Sequence, residues 1–241
     1  AGGKAPNVVQ DYTKLEYSIR SPRVAEAMEL CEWVKKIAKG AGMMTETTVD
    51  IEFRSALSET IPNETLEKVL QDNLEAAPFP VYTKEEYEFG AAINKSYEVK
   101  GSVADLAAKL NPEWEKILAD RAAIKGWNLN DLVLPYKHWD FPICASTDVG
   151  DVSYICPTAM FFAPTAAARI LEHSWQYVAC NNTSIAHKGL IYAGQVLAGA
   201  GIDLLENPEK VKLAKEEFIR NLDGRTYCCP IPDEVQPDIE K

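Results

Sequence analysis

Histidine is scarce in this sequence: His138, His173 and His187 are the three present. None of them falls in an H-x-x-x-H or H-E-x-x-H string, the spacing that puts two metal ligands on one helix face. The glycine patterns that cradle phosphates, G-x-G-x-x-G and the P-loop, are missing, as is a G-x-S-x-G nucleophile elbow. The six cysteines (Cys31, Cys144, Cys156, Cys180, Cys228 and Cys229) form no C-x-x-C pair. That spacing argues against a zinc knuckle and against a dense disulfide framework, and reduced thiols of a cytoplasmic protein are the expectation. Cys228 and Cys229 are adjacent, a pair that bridges only with strain, and they receive no role. No run approaches the ~20 apolar residues that cross a bilayer. The longest, Ile185 to Leu205, is broken by His187, Lys188 and several glycines. Positive charge is outnumbered, 25 Lys and Arg against 36 Asp and Glu. A net charge of −11 repels phosphate backbones, which excludes nucleic acid as the expected partner. Ala1-Gly2-Gly3-Lys4 has no apolar core behind it and does not read as a signal peptide. The missing initiator Met leads to the expectation of a fragment or a processed product.

What is present is ordinary globular material, 46% hydrophobic and 25% charged, long enough for one large or two smaller domains. Leu15, Tyr17 and Ile19 alternate with polar neighbours, as do Thr47, Val49, Ile51 and Phe53, and both stretches predict strands. Between them Ser21-Pro22 opens a helix, with Val24, Met28, Cys31, Val34 and Ile37 or Ala38 on one face and Gly40 and Gly42 at its end. A helix laid on a small antiparallel sheet is the expected arrangement. Ile61-Pro62-Asn63 marks a boundary. Helices are then predicted over 64–76, 84–96 and 112–124, the last of them within a stretch from 101 to 134 read as helices joined by short turns. Thr158 to Ala163 predicts a short buried strand. Thr183 to Gly201 predicts a long helix rich in Ala and Gly, and Asn207-Pro208 starts a last one running to Leu222.

Few residues suggest chemistry on their own. Each histidine is read first as a satisfied polar residue. The loop Ser146 to Ser153 gathers Asp148, Asp151 and three hydroxyls around Gly150. It has two open readings: support for a metal's ligands or a substrate's polar groups, or a solvated turn with Asp capping a helix. Asn7 and Arg20 flank the first expected strand. Arginine offers a two-pronged fork to a carboxylate, although an Arg at a strand end is commonly a surface charge.

Several strings taken together carry a resemblance. A-G-G-K-A-P-N-V-V-Q at 1–10 and Y-S-I-R-S-P at 17–22 resemble the lid domain of the zinc aminoacylase and carboxypeptidase family. A-S-T-D-V-G-D-V-S at 145–153 is similar to the aminobenzoyl-glutamate hydrolase B subunit group within it, as are H-S-W-Q at 173–176, T-S-I-A-H-K-G at 183–189 and C-P-I-P at 229–232. The likeness covers nearly the whole chain and is weakest from 97 to 140. It implies an α/β fold in two domains: a catalytic domain with a central sheet between helices, and a smaller α+β lid used for dimerisation. Residues 1–56 would be the later part of the lid and 57–241 the later part of the catalytic domain. The implied reaction is hydrolysis of an amide bond in aminobenzoyl-glutamate or a related N-acyl amino acid, with two divalent metals, Zn or Mn, sharing a water. By position, His173 matches a metal ligand. Arg20 matches a group for the substrate carboxylate, Asn7 one for the carbonyl or oxyanion, and Asp148 a group supporting the metal site. His187 and Lys188 belong to the group's pattern without a role. The general base and the other ligands match nothing in this chain, so an N-terminal half or partner subunit would supply them. The remaining alternatives are a non-catalytic assembly or dimerisation piece, a proteolytic remnant, or a deacylase for another acyl group. An isolated half would also expose apolar surface and aggregate.

Overall fold

The computed structural model describes residues 5, 7–97, 111–138, 142 and 145–236. The string 1–4, Cys144 and the expected helical stretch over 101–110 lie outside the described residues. The chain divides into two compact units. One comprises Ala1–Thr60, Phe141–Ile155 and Thr226–Lys241, the other Ile61–Asp140 and Cys156–Arg225.

In the first unit, α1 spans Val24–Thr45. Its partly buried positions Val24, Ala27, Met28, Cys31, Val34, Ala38 and the buried Gly42 recur every three or four residues along one face. The glycines do not end it, as the sequence suggested. Gly42 stays helical, and a Cβ there would sit 2.6 Å from Val49 Cγ2 and 3.0 Å from the Thr47 carbonyl. Its lack of a side chain lets the outgoing chain fold back against the helix. Glu46 instead takes the left-handed position (φ 53°) and returns its N–H to the Gly42 carbonyl. The segments on either side of α1 run alongside each other: Lys14 pairs with Glu52 at 3.9 Å and Glu16 with Arg54 at 3.8 Å. The residue offset is the same in both pairs, so the two segments run in the same direction. A short helix, α5, spans Val149–Ser153.

The second unit is built from α2 (Glu64–Ala76), α3 (Lys84–Lys95), α4 (Pro112–Lys125), α6 (Trp175–Asn181), α7 (Ser184–Glu206) and α8 (Pro208–Leu222). Its main core joins Val69 and Leu70 of α2 to Tyr192, Val196 and Ala200 of α7. Phe79 meets the Tyr192 ring edge-on at 5.0 Å. Gly199 lets α2 approach closely, since a Cβ there would lie 2.1 Å from Asn73 Oδ1. α3 starts with a capping box between Thr83 and Glu86.

The expected α/β architecture is corrected by this fold. Among the described residues there is no sheet; the β pairing present is one isolated antiparallel bridge, Leu129 to Ala167. Residues 158–163, expected as a buried strand from their apolar run, keep only the facing of one. Ala159, Phe161 and Ala163 pack on the α2–α7 core while Met160 and Phe162 point outward, the alternation of a half-buried strand. Alternation sets the facing of side chains, but a sheet also needs a neighbouring chain to take the backbone hydrogen bonds. No described segment pairs with 158–163, 12–20 or 47–55 in this way. No described helix is long and apolar enough to cross a membrane.

Candidate functional site

His173 occupies a turn just ahead of α6. It is exposed and has φ 58°, a left-handed conformation uncommon outside glycine. Ser174 holds the turn in place: its hydroxyl donates to the Leu171 carbonyl at 2.5 Å and accepts the Tyr177 N–H at 3.3 Å. Residues kept in this backbone region carry strain and concentrate at functional positions. The imidazole opens onto a shallow cavity of about 730 Å³, whose lining includes Glu172, Trp175 and Val178. Among the described residues, no three His, Cys, Asp or Glu side chains gather closely enough to hold a metal ion. A single imidazole does not make a metal site, so the donors among the described residues do not fit a complete centre.

The other predicted residues lie in the first unit. Asn7 and Arg20 are exposed. Arg20 makes no hydrogen bond or ion pair among the described residues, leaving its guanidinium accessible to an anion. Asp148 stands at the N-cap of α5 but makes no capping bond from its side chain, which removes the helix-cap reading of that loop. Its carboxylate receives only a long contact from the Thr147 hydroxyl, 3.4 Å. The second aspartate of the loop is engaged structurally: Asp151 Oδ1 accepts the Ser58 hydroxyl at 2.6 Å and the Ser58 N–H at 3.3 Å. Ser153 is fully buried and donates to the Gly150 carbonyl. Beside the loop, the Tyr227 phenol is pushed up to about 12 by desolvation, by the Cys229 thiol and by Asp151. Cys228 and Cys229 are exposed, and neither they nor Cys31, Cys156 and Cys180 form a disulfide among the described residues.

The histidine and lysine of the 183–189 string part company. His187 is exposed on the first turn of α7. Lys188 reaches the Glu86 carboxylate at 2.7 Å and the Val81 carbonyl at 2.9 Å, and its ammonium lies 5.6 Å from the Tyr82 ring. Burial would raise the Glu86 pKa, but bonds from Lys188, Ser184 and the Thr83 N–H outweigh it and hold the carboxyl below its ordinary range. Lys188 is thus a tie between α3 and α7. His138 Nδ1 lies 2.8 Å from Glu67 Oε2, which also accepts the Tyr136 hydroxyl at 2.9 Å. Ser58, Glu59 and Tyr154, which organise the Asp148 loop, were not singled out by sequence. Their signal was weak: a serine and a glutamate just ahead of Ile61-Pro62-Asn63, and a tyrosine closing the acidic string. A separate cavity of about 470 Å³, bordered by Asn94, Trp127 and Arg169, holds none of the residues singled out.

Comparison with known proteins finds two relatives along most of the chain. It is 36% identical over 240 residues to the B subunit of p-aminobenzoyl-glutamate hydrolase of Escherichia coli (strain K12), covering 98% of this chain and 49% of that protein. It is 23% identical over 220 residues to Xaa-Arg dipeptidase of Mus musculus, covering 90% of this chain and 38% of that protein. The similarity bears out the resemblance to the aminobenzoyl-glutamate hydrolase B subunit group, and the chain spans about half the length of that curated relative. No family model and no solved structure matches it.

Proposed function

We propose that this chain is one portion of a cytoplasmic, metal-dependent hydrolase that cleaves the amide bond of aminobenzoyl-glutamate or a related N-acyl amino acid. The observation that carries this reading is the similarity to the B subunit of p-aminobenzoyl-glutamate hydrolase along 98% of the chain. In this reading His173 supplies one ligand of a site for two divalent metals, Zn or Mn. Arg20 takes the substrate carboxylate, Asn7 its carbonyl, and Asp148 supports the metal site. The general base and remaining ligands come from a partner polypeptide or a further stretch of chain, and residues 1–56 contribute a dimer contact. The left-handed His173 and the unengaged Arg20 fit these roles.

The outer face of α7 fits such a partner. Leu190, Ile191, Leu197, Ile202 and Leu205 are all exposed there, opposite the face that carries Tyr192 and Val196. A helix apolar all round is one meant to be covered on both sides. We assign that face to the polypeptide that completes the site. The reading is tested by adding a polypeptide bearing the missing ligands and following release of glutamate from p-aminobenzoyl-glutamate. Hydrolysis by the assembly, lost on chelation, supports it; an assembly that binds metal without hydrolysing any N-acyl amino acid sinks it.

A second reading, a non-catalytic assembly piece, draws on His173 standing outside any group of three metal donors among the described residues. It predicts that the chain improves the stability of its partner without altering the partner's turnover.

A further inference from the structure

Helix α1 opens without a cap of its own. Arg23 stands at the N-cap and makes no side-chain bond to the first turn. The first amides of a helix must then find acceptors elsewhere. The Val24 N–H finds Glu59 Oε2 at 2.9 Å. The other oxygen of that carboxylate accepts the Tyr154 hydroxyl at 2.6 Å. Tyr154 is buried, and its ring lies 6.3 Å from that of Tyr227. A carboxylate is favoured at a helix N-terminus by the helix dipole, and bonds to a charged acceptor are stronger than neutral ones.

The neighbouring residue secures the other side. Buried Ser58 gives both its N–H and its hydroxyl to Asp151 Oδ1. Its carbonyl lies so near Gly150 that a Cβ there would approach it to 2.0 Å. One dipeptide, Ser58-Glu59, therefore holds both the start of α1 and the 149–154 turn. Arg20 lies just ahead of α1, and Asp148 directly precedes α5.

We infer that Glu59 is a positioning residue, joining Val24 to Tyr154 so that the turn carrying Arg20 and the loop carrying Asp148 are held as one piece. The functional meaning of that spacing rests on the roles proposed above for Arg20 and Asp148; the mechanical tie does not. Glu59 is bonded to the Val24 N–H and the Tyr154 hydroxyl. It acts through the backbone that follows Arg20 and the loop that follows Asp148.

Hydrogen exchange on the intact 241-residue chain tests the tie. Tyr154→Phe removes one hydroxyl and touches no atom of α1. The expected result is several-fold faster exchange at the amides of residues 24–28 as well as at 149–155. Faster exchange confined to 149–155, with 24–28 unchanged, overturns the inference. If Tyr154→Phe fails to fold, Glu59→Gln replaces it: the amide keeps a single acceptor oxygen, so both ends loosen if Glu59 joins them, and α1 alone loosens if Glu59 is only a local cap. In a preparation that hydrolyses p-aminobenzoyl-glutamate, Tyr154→Phe is expected to raise KM several-fold with kcat within about twofold, and an unchanged KM overturns the positioning role. A preparation with no hydrolysis counts against the proposed function, while the exchange result still decides the tie.

Discussion

Glu217 on α8 closes the N-terminus of α2 through Thr65: its carboxylate accepts both the Thr65 N–H at 2.9 Å and the Thr65 hydroxyl at 2.6 Å. It takes the Glu64 N–H as well, at 2.6 Å. Asn63, almost fully buried, completes the joint by accepting the Leu66 N–H and donating to the Ala214 carbonyl at 2.8 Å. Burial alone would raise the Glu217 pKa. The bonds from Thr65 and Glu64 outweigh it and hold the carboxyl below its ordinary value of 4.5. The ends of the second unit are thereby tied across about 150 residues of sequence.

Glu217→Gln is expected to lower stability at pH 7 by about 1–3 kcal/mol, since a buried set of charge-assisted bonds is broken. A carboxyl with a depressed folded pKa contributes stability that is fully present above its unfolded value and is lost as pH falls through the folded one. The wild-type chain should therefore weaken below pH 4.5 more steeply than Glu217→Gln, with Glu86 acting in the same window. Urea unfolding at pH 7 and in that acidic range measures both effects, and equal slopes for the two proteins would contradict the assignment.

Two glycines of α7 should respond in opposite directions to the same change. Gly194 has open space where a Cβ would go, whereas at Gly199 a Cβ would meet Asn73 Oδ1 at 2.1 Å. Asn73 has little freedom to yield, because its amide is bonded to the Val69 carbonyl and to Asp203. Gly194→Ala is expected to stabilise the chain by about 0.5–1 kcal/mol through helix propensity. Gly199→Ala is expected to destabilise it by about 1–3 kcal/mol. Thermal unfolding of the two variants beside wild type decides this.

Much of the helical skeleton was legible in sequence, and the reasons are local. Asn63 capping α2, Thr83 and Glu86 boxing α3, and Pro208 in the first turn of α8 are signals carried within a few residues of the element they start. The end of α1 was misread because a glycine stops a helix only where the backbone turns left-handed. Gly42 is instead helical and packed, and Glu46 makes the turn. The long helix runs on past Gly201 to Glu206 for a related reason, since nothing there demands a turn. The strand at 158–163 was inferred from a short apolar run and those around 15–19 and 47–53 from alternation, but pairing partners are a property of the assembled chain and not of any short window. His173 and Arg20 came from pattern resemblance. Glu59 escaped because its partners, Val24 and Tyr154, are 35 and 95 residues away.

His173 offers a separation of stability from function. Its φ of 58° is a conformation glycine adopts freely. His173→Gly should leave stability unchanged or raise it by up to about 1 kcal/mol. The same change should abolish metal-dependent turnover in the assembled enzyme. A clear loss of stability would mean that the imidazole serves the fold instead.

The exposed face of α7 gives a prediction about association. Leu197→Glu places a charge on a residue 58% exposed, so stability should move by less than about 0.5 kcal/mol. Self-association of the isolated chain and its affinity for the completing polypeptide should both fall. Sedimentation of wild type and variant, alone and mixed, measures this, and unchanged association would remove α7 from the interface.

The most direct test is an intact mass and metal analysis of the hydrolytically active preparation, with wild-type chain and with His173→Ala. The account predicts this chain together with a second polypeptide, about two metal ions per pair, and loss of metal and of p-aminobenzoyl-glutamate hydrolysis together in the variant. Full activity and full metal content in His173→Ala, or hydrolysis by the 26.7 kDa chain alone without metal, would contradict it.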